Sequence, residues 1–461
     1  MKYRMSVKDF IEASRSGSIE MVDFYSSLST EIEKLNKKYD FFQCISPLKK
    51  KPIKPKLFGL PISVKDNICV SGVQSSAGSK ILDGYVPPFN ATCVQHCIDN
   101  NAVVVGKTNQ DEFGFGTFST NSWYGIPKNP LDPNRSCGGS SGGAAGLTAA
   151  LDYPHIALAE STGGSISCPA AFCSVVGLTP TYGLVSRYGL IDYANSLDKI
   201  GPMGRSVYDV ALMLSMIAGH DTKDSTSLLQ GKKDYTSFLH EGVRGMKIGV
   251  PKEYFENIEK SVEKKVWAAI KKLESAGAII EKISLPTTRF SIASYYIIAT
   301  AEASTNLAKY CGMRYGLHAE LEGNFNEYFS KVRSAGFGEE AKRRIILGTF
   351  ARMSGYRDAY YLKAMRVRTM IINDFKKAFS SVDVIAAPTM PILPPKFSDI
   401  KKLTPIENYQ SDILTVPPNL AGIPMISLPT KQNEMIGLHL MADHLGEDKI
   451  LKAAAEFEKI R

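Results

Sequence analysis

The sequence lacks the cysteine pattern of a metal site. Its eight cysteines include no C-x-x-C pair. Cys93 and Cys97 would share one side of a helix, but no second pair of ligands follows at the spacing of a zinc site. We therefore expect free buried thiols, no bound metal and a reducing, cytoplasmic environment. Residues 1–15 are charged throughout and have no apolar core, so we expect no signal peptide.

The sequence also lacks an uninterrupted apolar run that could cross a membrane. Residues 161–186 carry no charge, but glycine and proline interrupt them too often for a spanning helix. The absence of charge indicates instead a backbone buried deep in the protein, as in the floor of an active site. We expect no membrane among the partners.

Nucleotide-binding loops are missing as well. Two glycine-serine clusters, residues 137–143 and 161–167, are the most distinctive part of the chain. Neither is followed by the Lys-Ser or Lys-Thr of a phosphate-binding loop, and neither has the G-x-G-x-x-G spacing of a dinucleotide site. Nucleotide binding at these clusters is therefore not expected.

Charge of either sign is present in ordinary amounts. The 55 Lys and Arg residues exceed the 46 Asp and Glu residues, giving a net charge of +9, which is a weak argument for an anionic partner such as RNA. The densest basic run, residues 49–51, lies among prolines. We interpret it as a solvated loop, with an RNA-facing patch as the alternative.

The order of apolar patterns predicts an α/β fold. Residues 1–56 read as a helical lead-in packed on the body, with Ser6 as a helix N-cap. Residues 57–461 form the catalytic domain, in which short apolar runs broken by glycine and proline alternate with helical patterns. A mostly helical insertion is expected over about residues 290–379.

The two clusters and one lysine can form a hydrolytic site. No G-x-S-x-G elbow surrounds Ser165, and the one histidine near either cluster, His155, lies in an apparent buried strand. A lysine whose pKa is lowered by burial can act as the base instead, and Lys65 follows an apolar run. A serine between them can relay the proton, because a hydroxyl both donates and accepts. Ser140 fits the relay and Ser165 the nucleophile.

The second cluster also supplies candidate donors for an oxyanion. Glycine lets a backbone approach a substrate closely, and backbone N–H groups stabilise a developing negative charge. We expect the oxyanion hole to consist of the N–H groups of Thr162, Gly163, Gly164 and Ser165.

These motifs resemble the amidase-signature family. Residues 138–143 (GGSSGG) and 162–166 (TGGSI) are similar to the two halves of its signature, and residues 64–67 (VKDN) to its lysine motif. The resemblance runs from about residue 57 to 445. It implies a large mixed central sheet covered by helices on both faces. It also implies a Ser-cisSer-Lys triad of Ser165, Ser140 and Lys65, with Ser140 on a cis peptide bond.

The chain departs from the family pattern at two positions. The family usually has Asp where Ser161 stands and Arg where Ser167 stands. Removing an acid and a base together costs less than leaving either one unpaired. We therefore expect the loop to persist with Ser161 and Ser167 in a neutral environment, and an inactive scaffold is one alternative that this departure leaves open.

Further motifs are similar to one branch of the family, the glutaminase subunits of tRNA-dependent amidotransferases. They are residues 107–113 (KTNQDEF) and 338–349 (GEEAKRRIILGT). The resemblance implies that Arg344 binds the carboxylate of glutamine and Asp412 its ammonium group. It implies B and C partner subunits, misacylated tRNA reached through them, and ATP and Mg²⁺ on the B partner. The other alternative is a stand-alone amidase for small amides.

Overall fold

One large mixed sheet forms the centre of the protein. The computed structural model describes residues 3–46 and 57–461, so the basic run at residues 49–51 lies outside the described residues. In the described ranges the sheet has eleven strands, in the spatial order β1-β3-β2-β4-β6-β5-β10-β11-β9-β7-β8. Their bounds are β1 Phe42–Ile45, β2 Pro61–Lys65, β3 Val103–Thr108, β4 Ile156–Ser161, β5 Val176–Thr179, β6 Lys199–Gly204, β7 Lys247–Pro251, β8 Ile279–Ile283, β9 Val384–Pro388, β10 Met425–Pro429 and β11 Gly437–Met441.

Parallel and antiparallel pairs occupy different parts of the sheet. β2 is parallel to both β3 and β4, and β7 is parallel to both β8 and β9. The pairs between these two groups, from β4 through β6, β5, β10 and β11 to β9, are antiparallel. Nearly every residue of the central strands is buried, which explains their continuous apolar runs. The predicted α/β class and mixed sheet are confirmed.

Helices cover both faces of the sheet, as predicted. Those in the described residues are α1 Val7–Arg15, α2 Met21–Tyr39, α3 Thr92–Asp99, α4 Gly142–Ala150, α5 Ser167–Phe172, α6 Val207–Ile217, α7 Lys260–Ser275, α8 Ser291–Asn306, α9 Phe325–Gly336, α10 Glu339–Arg352, α11 Lys363–Phe379, α12 Phe397–Ile400, α13 Pro405–Gln410, α14 Val416–Ala421 and α15 Glu447–Ile460. α8 to α11 lie between β8 and β9, where the sequence predicts a helical insertion. No helix within residues 3–46 and 57–461 is long and apolar enough to span a bilayer.

The N-terminal segment packs into the main core. Ser6 caps α1 by accepting a hydrogen bond from the N–H of Asp9 at 3.1 Å, as predicted. Phe24 of α2 is fully buried and contacts the rings of Tyr3 and Phe10. The segment also contributes β1, which pairs antiparallel with β3 at the edge of the sheet. This strand is absent from the prediction of a helical lead-in.

Three central strands, β5, β6 and β11, are likewise not predicted from the sequence. β6 reads Lys-Ile-Gly-Pro-Met-Gly and β11 reads Gly-Leu-His-Leu-Met, so glycine and proline obscure the strand pattern. The glycine in β6 is required by tertiary packing, because a Cβ atom on Gly201 would overlap the carbonyl oxygen of Leu178 in β5. Because the two strands approach closely, glycine is required at a position where strand propensity disfavours it.

Phe24 tests whether α2 belongs to the folding unit of the body. Replacing it with alanine leaves a cavity among aromatic rings, and we expect the free energy of unfolding to fall by about 3 kcal/mol or more. The control is Val22→Ala on the same helix, where the side chain is 48% exposed and the expected change is below about 0.5 kcal/mol. Thermal and urea unfolding of the full chain measure both; equal effects would contradict the shared core.

Candidate active site

The three predicted pieces of the site meet at the carboxyl ends of strands β2 and β4. Lys65 is the last residue of β2, and Ser161 is the last residue of the neighbouring parallel strand β4. α4 begins at Gly142, within the first glycine-serine cluster, and α5 begins at Ser167, two residues after the nucleophile candidate Ser165. The carboxyl ends of parallel strands and the N-termini of the helices that follow are common positions for binding sites in α/β proteins.

Lys65 is completely buried and its amino group has three hydrogen-bond partners. Its Nζ donates to Ser140 Oγ at 2.8 Å, to the backbone carbonyl of Glu160 at 2.9 Å and to the Glu160 carboxylate at 2.9 Å. Burial lowers the pKa of Lys65, and the charge of Glu160 opposes that effect. Burial and Glu160 together therefore set how readily the Lys65 amino group gains and loses a proton, as a general base must.

Ser140 and Ser165 belong to two loops that meet at one small cavity. The peptide bond between Gly139 and Ser140 is cis, as the resemblance implies. Ser165 lines the cavity together with Gly139. In the described part of the chain the structure shows the hydrogen bond from Lys65 to Ser140 but none between Ser140 and Ser165, so the second half of the relay stays a prediction.

The loop at residues 162–165 is held close to two neighbouring helices. A Cβ atom on Gly164 would overlap Thr415 Oγ1, and one on Gly163 would lie 2.9 Å from the hydroxyl oxygen of Tyr295. Asn419 donates a hydrogen bond to the carbonyl of Thr162. Within residues 3–46 and 57–461, the N–H groups of Gly163, Gly164 and Ser165 have no hydrogen-bond acceptor. This geometry leaves backbone donors available to an oxyanion.

Arg344 lies on α10 and is 3% exposed. It donates to Glu340 Oε1 at 2.8 Å and to the hydroxyl of Tyr193 at 2.6 Å. Four aromatic rings surround its guanidinium, with centroids 5.0 to 5.7 Å away: Phe115, Tyr193, Tyr296 and Tyr409. These contacts hold the cation in a fixed orientation at the cavity wall.

Asp412 lines the same cavity, ahead of α14. Its Oδ2 accepts hydrogen bonds from Thr117 at 3.0 Å and from the hydroxyl of Tyr296 at 2.9 Å. Burial raises the pKa of Asp412 to about 6, while these two hydrogen bonds and Arg344 act in the other direction. The group is therefore mostly ionised at neutral pH. The structure thus brings Ser165, Arg344 and Asp412 together around one space.

The hydroxyl groups at the two departures from the family pattern have uncharged hydrogen-bond partners. Ser161 donates to the carbonyl of Gly163 at 3.0 Å. Ser167 Oγ lies 3.3 Å from His439 Nε2, and burial lowers the pKa of His439 to about 3, so that ring is uncharged. Lys199 of β6 is the register partner of Ser161; it is buried, donates to the carbonyl of Ile423 at 3.0 Å and forms no salt bridge within the described residues.

Sequence reasoning missed the acidic side of the site. Glu160 and Asp198 are both buried near Lys65, and Glu160 is its direct partner. A signal was present, because an acidic residue inside the apolar run of β4 is unusual unless it is paired. By contrast, His155 Nε2 lies 3.0 Å from Ser63 Oγ and does not line the cavity. Among the described residues, no group of three or more His, Cys, Asp or Glu side chains could hold a metal.

The site contains a buried lysine that is hydrogen-bonded to a serine on a cis peptide. Beside it lies a glycine-rich loop whose N–H groups have no acceptor in the described residues. This combination defines a serine amidohydrolase of the amidase type. The family model described as Amidase matches residues 42–451. The chain belongs to this family.

Relatives within the family are similar to this chain over most of its length. The chain is 51% identical over 407 residues to the A subunit of glutamyl-tRNA(Gln) amidotransferase from Methanosarcina acetivorans, covering 87% of this chain and 84% of that protein. It is 44% identical to the corresponding protein of Persephonella marina, which has the same name, covering 99% and 93%. The crystal structure of the A subunit of glutamyl-tRNA(Gln) amidotransferase from Thermotoga maritima aligns with a TM-score of 0.83 and 36% identity, covering 99% of this chain and 94% of that one.

The packing of the loop against α14 predicts a strict requirement for glycine at position 164. A Gly164→Ala chain must move either the loop or Thr415, which we expect to cost about 1–3 kcal/mol in unfolding free energy. Gly231→Ala is the matched control, because a Cβ atom there has nothing within 4 Å. Unfolding of both variants by urea distinguishes them; a Gly164→Ala chain as stable as the control would contradict the described packing.

Proposed function

We propose that the chain is the glutaminase subunit of a tRNA-dependent amidotransferase, which hydrolyses glutamine and supplies ammonia to a partner protein. The observation that carries the proposal is the cavity shared by Ser165, Arg344 and Asp412. It combines a nucleophile with one cation and one anion, as a zwitterionic amide such as glutamine requires. The high identity to proteins of this name over most of the chain supports it.

In the proposed reaction, Ser165 is the nucleophile and neutral Lys65 is the base. As Ser165 Oγ bonds to the amide carbon, its proton passes to Ser140 Oγ, and the proton of Ser140 passes to Lys65 Nζ. The carbonyl electrons move to oxygen, which the N–H groups of residues 162–165 stabilise. The proton then returns through Ser140 to the leaving ammonia, and water releases glutamate from the acyl-enzyme.

Recognition of glutamine is assigned to the opposite wall. Arg344 would bind the α-carboxylate and Asp412 the α-ammonium group, which fixes the side-chain amide against Ser165. The cavity volume of about 10 Å³ has room for about one water molecule. Binding of glutamine therefore requires the side chains that line the cavity to move apart, and closure around the substrate would then exclude water.

The partners follow from the same proposal. Ammonia released at Ser165 would pass to a B subunit that activates Glu-tRNA(Gln) or Asp-tRNA(Asn) with ATP and Mg²⁺, and a small C subunit would join the two. This chain would bind neither ATP nor Mg²⁺ and would act in the cytoplasm. The names of the relatives support an enzyme of several subunits.

Glutamate release from glutamine tests the catalytic role against the scaffold alternative. We expect Ser165→Ala to retain the fold and assembly with its B and C partners but to lose glutaminase activity by a factor of about 10⁴ or more. Activity is measured on the isolated chain and on the assembled complex. Glutamine hydrolysis that is undiminished by the substitution would refute Ser165 as nucleophile.

The substrate assignment is tested by comparing adjacent arginines. Arg344→Ala removes the proposed carboxylate ligand, and we expect kcat/KM for glutamine to fall about 10- to 100-fold, mostly through KM. Arg343→Ala is the control, because Arg343 also contacts Glu340 but is 40% exposed; its kcat/KM should change less than about twofold.

A simple amide without an α-carboxylate serves as the second substrate. If Arg344→Ala changes neither the turnover of this simple amide nor the turnover of glutamine, the chain is a general small-molecule amidase and the assignment of Arg344 is wrong. Stimulation of glutamine turnover by the B and C partners, lost in Arg344→Ala, supports the amidotransferase.

A further inference from the structure

Glu160 is a buried acid in direct contact with the proposed base, and the relay through Ser140 does not itself require it. Its side chain is 1% exposed, and its Oε2 accepts a hydrogen bond from Lys65 Nζ at 2.9 Å. An ionised carboxylate in such a place costs several kcal/mol unless charge and hydrogen bonds compensate. The residue therefore affects the proton affinity of Lys65 directly.

The Glu160 carboxylate is held in one orientation by neighbours on both sides. Asn67 Nδ2 donates to the same Oε2 at 3.0 Å. On the other side, Thr162 Oγ1 lies 2.8 Å from Glu160 Oε1. Both of these neighbours belong to the loops that follow β2 and β4, so the carboxylate lies between the lysine loop and the nucleophile loop.

Thr162 connects Glu160 to a second buried acid. Its hydroxyl oxygen lies 2.8 Å from Glu160 Oε1 and 2.8 Å from Asp198 Oδ1. A hydroxyl has a single proton to donate. One of the two contacts therefore has the carboxyl group as donor, and the pair of acids holds one proton between them.

The shared proton belongs on Asp198. Glu160 accepts a hydrogen bond from the amino group of Lys65, whereas Asp198 has no amino or guanidinium group within hydrogen-bonding distance in the described part of the chain. Burial and the charge of Glu160 both raise the pKa of Asp198 well above its usual value. Protonated Asp198 then donates to Thr162, and Thr162 donates to Glu160, which remains the anion.

We propose that Glu160 is a positioning residue for the reaction: its carboxylate holds the Lys65 amino group against Ser140 and stabilises the ammonium that forms there during attack by Ser165. This proposal rests on the proposed roles of Lys65, Ser140 and Ser165 but not on glutamine as the substrate.

Under this proposal the Glu160 carboxylate accelerates the reaction because positive charge develops on Lys65 during the attack. Before attack the base is neutral, and the carboxylate has no cation to pair with. As the proton of Ser165 moves to Ser140 and the proton of Ser140 to Lys65, an ion pair forms at 2.9 Å in a dry site. An interaction that is stronger in the transition state than in the ground state accelerates the step. The proton leaves Lys65 again through Ser140 when ammonia departs.

Other charged groups around Lys65 and Glu160 contribute less. The charges of Asp111 and Asp198 also raise the pKa of Lys65. Arg344 lowers the pKa of Asp111, and Arg187 lowers the pKa of Asp198. Of these groups only Glu160 is in hydrogen-bonding contact with the lysine. Substitution of Glu160 should therefore move the titration of Lys65 further than substitution of any of the others.

The test uses Glu160→Gln, which removes the charge and keeps the shape. A glutamine oxygen can still accept from Lys65 and Asn67, and its NH₂ group can donate to Thr162. The readout is the pH dependence of sulfonylation of Ser165 by methanesulfonyl fluoride, followed by intact mass. In that reaction the Oγ–S bond forms, the S–F bond breaks, fluoride leaves and the relay takes the proton. It needs Lys65 in its neutral form.

We expect the acidic limb of the rate profile to move to lower pH by about 1–3 units in Glu160→Gln. The direction follows because a neighbouring carboxylate raises the pKa of a lysine, and its removal lets burial lower that pKa further. The plateau rate should fall about tenfold or more, because Lys65 becomes a weaker base. The same shift is expected in kcat/KM for glutamine.

Two controls separate this role from general effects of losing a buried acid. Glu447→Gln removes a carboxylate that is 1% exposed and accepts from the N–H of Thr181 rather than from Lys65; its profile should match wild type. Asp198→Asn mimics the protonated acid, since its amide can donate to Thr162, and its acidic limb should stay within about 0.3 pH units of wild type.

The outcomes are distinguishable. An unshifted limb in a folded Glu160→Gln chain overturns the proposal. So does a downward shift of about one unit or more in Asp198→Asn, which would make Asp198 the charge that Lys65 experiences, and this second variant decides the matter even if the first does not fold. Labelling that persists in Ser165→Ala would instead refute the proposed nucleophile.

Discussion

The amino group of Lys65 has to be both buried and partnered, and the surrounding structure depends on that constraint. A lysine without exposure to water is costly unless hydrogen bonds and an opposite charge replace its hydration. Here β2 and β4 are neighbouring parallel strands, so the end of β4 presents the carbonyl and the carboxylate of Glu160 to the lysine at the end of β2. The third partner, Ser140, comes from the loop before α4.

The same constraint explains why small residues surround the site. Three loops must reach one amino group and one cavity, and only residues without bulky side chains allow their backbones to come so close. A Cβ atom on Gly139 would overlap the carboxylate of Asp111, just as one on Gly164 would overlap Thr415. Glycine clusters that resemble flexible turns in the sequence are therefore closely packed in the fold. In the second cluster, Gly164 and Ser165 have N–H groups without an acceptor in the described residues, and they line the cavity together with Tyr295 and Tyr296.

The part of the cavity lined by Arg344 and Asp412 is organised differently. Arg344 is oriented by Glu340 and by stacking among aromatic rings, and Asp412 is oriented by hydroxyl groups of Thr117 and Tyr296. Arg344 forms its ion pair with Glu340 and not with Asp412, so a cation and an anion both line the cavity without pairing with each other. Such an arrangement suits a ligand that carries both charges itself. Under the proposed function, recognition on α10 and ahead of α14 is separate from the chemistry at β2 and β4.

Much of the fold could be predicted from local pattern. The capped α1, the buried strands β2, β3 and β4, and the helical stretch between β8 and β9 all follow from the spacing of apolar residues and from helix start signals. The strands that escaped prediction, such as β6 and β11, contain glycine or proline at points where other strands approach. Their identity as strands depends on neighbours that are distant in the chain, which no local pattern contains.

The class of chemistry is predictable from the amino-acid pattern, because two glycine-serine clusters, a lysine after an apolar run and the lack of a histidine in a catalytic motif leave few ways to activate a serine. The family resemblance also predicted Arg344 and Asp412 as site residues, and both line the cavity. The fold alone reveals that Glu160, rather than solvent, is the partner of the Lys65 amino group, and that Thr162 links Glu160 to Asp198. The physical reason is that a proton is shared over distances of about 3 Å, and residues separated by dozens of positions reach those distances only when the strands that carry them pair.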